Sequence, residues 1–556
     1  MRKDISGRQV RLDEAILARY AGCSEWQNQT IAERAAAMAA RDPQQVTHVF
    51  EGVPCRVGEL LGDARLLAGA LQRRGLVAGD VISFQLPNWR ETAVIDLAAS
   101  LLGLVVAPIV PIYRDAEVAF MLADSAIKAA FFPGSYRNFD YAAMMQRLAP
   151  DLPQLRLLCP VRCETAGADS YEAMLAEGKG PASLPEVDAN AVKLILYTSG
   201  TTGRPKAVLH SHNTGPTRLK RAFEHWCGSG AETLLMASPV THVTGLSGLE
   251  LPFYRNARTV FMDRWNAAEA LEIIEREQVT VSLGATPFLH ELIHQAEQHG
   301  RRLPSLKAFA CGGAEVPPAL IYKAREVFDN CRAFRVFGSS EAPLVTLGFV
   351  GDGQLEQAAT TDGEICDYEV RLLDEEGQPV AAGQEGEICV RGAAMFLGYA
   401  DPEQTAASFD ADGFFATGDL GRITADNAIV ITGRKKDLIN RGGEKISAKE
   451  VEDILHQHPA IDEAAVVSMP HQRLGETLCA YVILKPGQDL TLETLLGSIG
   501  QAGVARQKLP ERLQVVADFP GYSVFSVESG LLQRLNKLLV ASAFRVVKIA
   551  THTLLE

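Results

Sequence analysis

Positive charge is scarce in this chain: 54 Lys and Arg stand against 68 Asp and Glu, a formal net charge of -14 over 556 residues. A nucleic-acid backbone rewards a basic face, so this balance argues against a DNA or RNA binder. It leaves room for a local basic pocket that takes a small anion. Long apolar runs are missing too. The N-terminal MRKDISGRQVRLDEAI has no apolar core of the kind a secretory signal needs. The greasiest stretch, Ala98 to Val110, is too short to span a bilayer and contains Pro108, so it reads as a buried helix end running into a buried strand. Closely spaced cysteines are lacking as well. The ten cysteines are scattered, and the nearest two, Cys159 and Cys163, do not have the two-residue spacing of zinc ribbons or redox turns. These absences point to a cytoplasmic protein with reduced thiols.

What is present is a globular composition too long for a single compact core, which implies two or more domains. From about Gln29 to Val350, helical periodicity alternates with short apolar runs. Gly58 to Arg74 and Arg90 to Gly103 have helical spacing; Val81 to Gln85, Ala129 to Phe132, Leu155 to Cys159 and Val279 to Leu283 are strand-like. That alternation predicts an α/β domain of parallel sheets covered by helices. After Gly363 short strand-like runs separated by Gly- or Asp-rich turns predict a small antiparallel, barrel-like subdomain. The basic segment Gly433 to Asp437 reads as a connector. Beyond it, the Ser447 cap with Glu450 three residues on opens an amphipathic helix of a small α+β domain. The expected division is 1–433 and 434–556, with an atypical ending from about residue 521.

The most informative residues are Thr198, Ser199, Gly200, Thr201, Thr202 and Gly203, followed by Arg204, Pro205 and Lys206. Four hydroxyl residues and two glycines in six positions make a poor core and a poor helix. Glycines let backbone N–H groups converge on an anion, hydroxyls add donors, and Lys206 adds a point charge for phosphate. This is not the common nucleoside-triphosphatase loop, which needs four residues between its glycines and a Ser or Thr after the Lys; here Ala207 follows Lys206. The run resembles the phosphate loop of the adenylate-forming superfamily of acyl-CoA synthetases, luciferases and peptide-synthetase adenylation domains. The resemblance extends from about Trp26 to Pro520, and it implies that residues 198–206 wrap the β- and γ-phosphates of ATP.

Other segments follow in the superfamily's order. A lone His is more often structural than catalytic, but the resemblance of Ser238 to Gly245 to the aromatic gate makes His242 a carboxylate-pocket residue. Val240 to Leu249 carries no acidic side chain, and an ammonium group buried there unpaired would be costly, which argues against an amino-acid substrate. The turn Gly312, Gly313, Ala314, Glu315 is similar to the one lying along one face of adenine. Phe337, Gly338, Ser339, Ser340 and Glu341 resemble the segment covering the other face, with Ser340 near phosphate and Glu341 on Mg²⁺. A carboxylate beside a nucleotide is repelled by phosphate unless a cation bridges them. Asp419 and Arg434 look like the pair that holds the ribose hydroxyls, and Lys436 falls at the hinge position. Arg441, Gly442 and Gly443 would approach the thiol of coenzyme A. The acid pocket, drawing on Val243, Phe288 and Gly312, should be apolar.

Within the superfamily the chain most resembles bacterial short- and medium-chain or alicyclic acid-CoA ligases, through Gln85 to Trp89, Pro111 to Arg114 and Gly284 to Phe288. The resemblance implies ATP, Mg²⁺ and coenzyme A as reactants, no nucleic-acid partner and no transmembrane segment, and is compatible with a homodimer. The alternatives are another adenylate-forming enzyme or a degenerate nucleotide-binding paralogue. The latter rests on the ending: after Pro520 the superfamily's Ser-Gly-Lys turn is absent, Ser526 stands about where its Lys belongs, and Lys537 and Lys548 lack the right surroundings.

Overall fold

The computed structural model describes residues 1–517 and Phe519, apart from 24–25, 164–166, 168, 199–204, 216–217, 229, 314–315, 442–443, 472–473 and 502–507. By internal contacts the chain divides into two units, Met1–Glu369 with Val390–Phe415, and Val370–Cys389 with Ala416–Glu556.

The first unit is built on two large sheets. One has six strands in the order Leu157–Val161, Ala129–Pro133, Val81–Phe84, Val105–Val106, Leu194–Thr198, Lys206–His210; all neighbours are parallel except the last pair. The other has seven, Arg332–Arg335, Ala308–Cys311, Val281–Gly284, Glu232–Met236, Ala257–Phe261, Val46–Phe50 and Val53–Arg56, again parallel up to a final antiparallel hairpin. Parallel sheets need both faces covered, which is why strands such as Ala129–Pro133 and Ala308–Cys311 are buried along their whole length rather than at alternate residues.

The helices begin and end where local chemistry says they should. Ile31–Arg41 starts on a capping box between Thr30 and Glu33. Arg90–Leu102 stops at Gly103, whose φ of 64° is left-handed, and the chain passes into the buried strand Val105–Val106. The apolar stretch that is too short for a membrane is thus a helix end and a core strand. Among the described residues no helix is long and apolar enough to cross a bilayer. Among the described residues no two cysteines form a disulfide.

In the second unit the four-stranded sheet runs Tyr368–Leu373, Gly386–Gly392, Phe415–Ile423, Ile429–Arg434, with the last pair antiparallel. Its first three strands cross the boundary between the units. One reading of the basic connector needs correction: Gly433 and Arg434 are ladder residues of Ile429–Arg434, and only Lys435–Asp437 forms a separate 3-10 turn. Next comes a five-stranded sheet, Glu444–Ser447, Leu438–Arg441, Gly475–Leu484 and Ile461–His471, with Arg512–Val515 parallel to Gly475–Leu484. Helix Ala448–Leu455, capped by Ser447, packs on it over a core of Ile439, Val451, Leu455, Val466 and Leu478.

Candidate active site

The phosphate-loop candidates are held at both ends by one hairpin. Strands Leu194–Thr198 and Lys206–His210 are antiparallel, with Thr198 opposite Lys206 and Leu194 opposite His210. Ser199, Gly200, Thr201, Thr202 and Gly203 lie outside the described residues, but their two anchors are ladder partners. Lys206 is the first residue of a strand rather than part of the turn.

The far end of this strand is tied to the metal-site candidate. The buried His210 ring contacts the Ser340 carbonyl through Nε2 (2.7 Å) and the Thr214 hydroxyl through Nδ1 (3.1 Å). Burial pushes this imidazole down to about 4, so it is neutral near pH 7. A neutral ring with a carbonyl at Nε2 must donate there and accept at Nδ1. His210 therefore holds the turn that ends in Glu341.

That turn follows strand Arg332–Arg335. Phe337 N–H donates to Thr346 Oγ1 (2.7 Å), Ser339 N–H to the Ala342 carbonyl (3.0 Å), and Phe396 N–H to the Glu341 carbonyl (2.9 Å). A Cβ on Gly338 would lie 2.4 Å from Leu344 N, so the turn admits only glycine there. Phe337 is half-buried and Gly313 exposed. Ala314 and Glu315 lie outside the described residues. Gly312 is close-packed: a Cβ would sit 2.5 Å from the Val336 carbonyl.

Glu341 has a partner that the sequence motifs did not reveal. Tyr399 Oη donates to Glu341 Oε1 (2.9 Å), and Lys206 Nζ stands 4.7 Å from the centre of the Tyr399 ring. One buried tyrosine thus contacts both Lys206, the phosphate-binding candidate, and Glu341, the metal-site candidate. Among the described residues the other Glu341 oxygen has no partner, which suits a site for a hard cation.

His242 caps helix Val243–Tyr254, its Nδ1 accepting from Thr244 N–H (3.4 Å). Burial lowers its pKa to about 4, so the imidazole is neutral near pH 7. The preceding turn is held by buried Asn88, which donates to the Ser238 (3.1 Å) and Met262 (2.8 Å) carbonyls and accepts from Val240 N–H (2.8 Å). Gly245 closes it, since a Cβ there would lie 2.0 Å from the Pro239 carbonyl oxygen. Gly245→Ala is expected to overpack this turn at a cost of about 1–3 kcal/mol and to raise the KM for the acid by displacing His242. A melting temperature and KM equal to the parent's would contradict that placement.

Two of the acid-pocket candidates converge on Gly284. Gly312 N–H donates to the Gly284 carbonyl (3.2 Å), and a Cβ on Gly284 would lie 2.5 Å from the Phe288 ring. Phe288 stacks on Trp265 at 4.5 Å and 20°. Val243 is the first residue of the helix that His242 caps. Glu250, the acid closest after the stretch from Val240 to Leu249, is already paired with Lys193.

In the second unit Asp419 and Arg434 are register partners on adjacent strands and form an ion pair, Arg434 Nε to Asp419 Oδ1, of 3.0 Å. Asp419 N–H also donates to Thr417 Oγ1 (3.1 Å). Lys436 lies in the 3-10 turn Lys435–Asp437. Arg441 pairs with Glu511 and donates to Thr477 Oγ1 (3.4 Å). Gly442, Gly443, Ser526, Lys537 and Lys548 lie outside the described residues.

The strand pair that flanks the hydroxyl- and glycine-rich run, the buttressed turn at Glu341 and the neutral His242 ring are arranged as a nucleotide-dependent ligase would need them. Comparison with known proteins agrees. Residues 35–400 match the family described as AMP-binding enzyme, and residues 450–522 its C-terminal domain. The chain is 34% identical over 482 residues to the medium-chain fatty-acid–CoA ligase of Escherichia coli (strain K12), covering 85% of this chain and 84% of that protein. It is 31% identical over 527 residues to the vibriobactin-specific 2,3-dihydroxybenzoate-AMP ligase of Vibrio cholerae, covering 94% and 96%. The solved structure of an ATP-bound RpMatB-BxBclM chimera superposes with a TM-score of 0.81 at 25% identity, covering 91% of this chain and 99% of that one. This chain belongs to the AMP-binding enzyme family of the adenylate-forming superfamily and is an ATP-dependent, AMP-forming ligase.

Proposed function

We propose that the enzyme activates a short- or medium-chain fatty acid, or an alicyclic acid, and passes the acyl group to coenzyme A. The observation that supports this reading is the apolar packing at Gly284, where Gly312 and the buried Phe288 meet and Phe288 stacks on the half-exposed Trp265. Such a surface recognises its ligand by apolar area, at about 25 cal/mol for each Å² removed from water. The carboxylate end would meet His242. Lys206, Thr198 and the turn between them would take the β- and γ-phosphates, Glu341 a bridging Mg²⁺, and Asp419 the ribose. Lys436 would be the point of bending between residues 1–433 and 434–556, and Arg441 with Gly442 and Gly443 would face the thiol in the second orientation.

A second reading, an aryl acid, draws on the stacked Phe288–Trp265 pair, whose ring geometry suits a flat ligand as well. Pyrophosphate release and thioester formation with octanoate, cyclohexanecarboxylate, benzoate and 2,3-dihydroxybenzoate separate the two. The aliphatic and alicyclic acids are expected to lead in kcat/KM; leadership by the aryl acids would replace the first reading with the second. No acid-dependent release at all would leave a degenerate nucleotide-binding protein.

Adenylation should be the slow half. Carboxylate attack on phosphate brings two anions together, and a positioned cation matters most in that transition state. Ser526 supplies none; a lost donor of this kind costs about 10²–10³ in rate. Thioester formation from presynthesised acyl-adenylate is expected to outrun acyl-adenylate formation from acid and ATP. Equal, rapid single-turnover rates for both halves would remove that expectation.

A further inference from the structure

Tyr399 is not part of any segment that resembles a nucleotide-site motif, yet its placement links the two ends of that site. The chain around it is not a free loop. Leu397 N–H donates to the Leu209 carbonyl (2.7 Å), Leu209 N–H to the Gly398 carbonyl (3.0 Å) and Ala400 N–H to the Ala207 carbonyl (2.8 Å). Val208 and Tyr399 face each other as an isolated antiparallel bridge. The segment is therefore an added edge on the strand that begins at Lys206, and Phe396 N–H on the Glu341 carbonyl attaches its other side to the acidic turn.

Tyr399 is 3% exposed. Thr405 Oγ1 accepts from its backbone N–H (2.9 Å) and donates to its carbonyl (3.1 Å), so the backbone is pinned on both sides. Phe396 packs edge-on against its ring at 5.0 Å and 68°. With backbone and ring held, the hydroxyl donates to Glu341 Oε1, and the Ser408 side chain also hydrogen-bonds it. The ring face meanwhile seats the Lys206 ammonium. Among the described residues Lys206 makes no ion pair, and each charge is held by a different part of the same tyrosine.

From this geometry we infer that Tyr399 is a positioning residue that keeps Lys206 and Glu341 apart and aimed, so that the first meets phosphate and the second the cation on it. The inference rests on the proposed roles of those two residues. Its two contacts are separable: Tyr399→Phe keeps the ring under Lys206 and loses the hydroxyl on Glu341, whereas Tyr399→Leu loses both.

The test measures ATP affinity by titration calorimetry with and without Mg²⁺, the Mg²⁺ concentration for half-maximal pyrophosphate release, and melting temperature. A hydrogen bond to a charged group is worth about ten-fold in an equilibrium. Tyr399→Phe is expected to raise the half-maximal Mg²⁺ concentration about ten-fold while Mg²⁺-free ATP affinity stays near the parent's. Tyr399→Leu is expected to weaken ATP binding several-fold even without Mg²⁺. A merely structural tyrosine would lower the melting temperature and leave the Mg²⁺ requirement unchanged; that result for Tyr399→Phe overturns the inference while leaving the ligase reading intact. A parent that binds MgATP but releases no pyrophosphate with any acid sinks the ligase reading, and the Mg²⁺-dependent ATP affinity of the two variants still decides the role of Tyr399. A parent that binds no ATP sinks both.

Discussion

Lys193→Met is expected to lower folding stability by about 3–5 kcal/mol near neutral pH, with activity per folded molecule nearly unchanged. Lys193 is 3% exposed and stands one residue before the strand that leads into the phosphate loop. Its ammonium pairs closely with Glu250 on helix Val243–Tyr254 and lies 3.7 Å from Asp96 Oδ1 on helix Arg90–Leu102. The other groups facing this cluster are Arg34, whose guanidinium stands 4.8 Å over the Tyr254 ring, and His212, which burial keeps neutral. Removing Lys193 leaves two buried carboxylates without the cation that acts on both, and Asp96 Oδ1 already has no hydrogen-bond partner.

The loss should depend on pH in a definite direction. Burial already raises both carboxyls above their ordinary range, against the pull of Lys193. Without the lysine they rise further, so the folded state holds protons more tightly than the unfolded one. Stability then falls as pH rises above the ordinary carboxylate range, and the variant falls more steeply than the parent. Urea unfolding at about pH 5.5 and about pH 8.5 reads this difference. Replacing the pair together, Lys193→Met with Glu250→Leu, is expected to recover much of the loss, since an apolar pair leaves less unpaired charge. A single variant within about 1 kcal/mol of the parent at both pH values would show that the cluster is not held by its lysine.

Lys206→Met should act in the opposite way, on rate and not on the fold. Its ammonium lies on the Tyr399 ring and makes no ion pair among the described residues, so little folding energy depends on it. Its backbone pairing with Thr198 survives the change. In the adenylation transition state a fixed cation beside the departing phosphates is stabilising where charge builds up, and losing one such donor typically costs about 10²–10³. Acid-dependent pyrophosphate release at saturating ATP is expected to fall by about 10²-fold, with a melting temperature close to the parent's. Thioester formation from presynthesised acyl-adenylate should be far less affected, because no pyrophosphate leaves in that step. A rate within two-fold of the parent, roughly 0.4 kcal/mol, would place the triphosphate elsewhere.

How much of this was legible beforehand varies with the range of the interaction. Helices with local signals were found to within a residue or two: Val57–Arg73, Arg90–Leu102 with its Gly103 stop, and Ala448–Leu455 behind its Ser447 cap. Strand periodicity located Val81–Phe84 and Ala129–Pro133 because both are buried on two faces and read as apolar runs. The hairpin strand after the phosphate loop was missed, since Lys206 and Pro205 make its start look like loop; tertiary pairing with Leu194–Thr198 overrides that local preference.

The site divides the same way. Hydroxyls, glycines and a lysine in a short run carry their chemistry locally, so the phosphate loop, the Glu341 turn and the His242 turn stood out as segments. His210, Asn88, Trp265 and Tyr399 did not, because nothing near them in the chain distinguishes a buttress from an ordinary buried polar or aromatic residue. Tyr399 could have been suspected only from a polar-tipped ring amid an apolar run, a weak signal.

The amino-acid order by itself determined the class of chemistry, since anion-binding turns and helix caps are made by residues a few positions apart. Folding decided which distant groups meet: Tyr399 with Glu341 across 58 positions, His210 with Ser340 across 130, Lys193 with Glu250 across 57. Such contacts are set by which strands become neighbours in a parallel sheet, and that depends on packing both faces of the whole sheet at once, which no local stretch of sequence records.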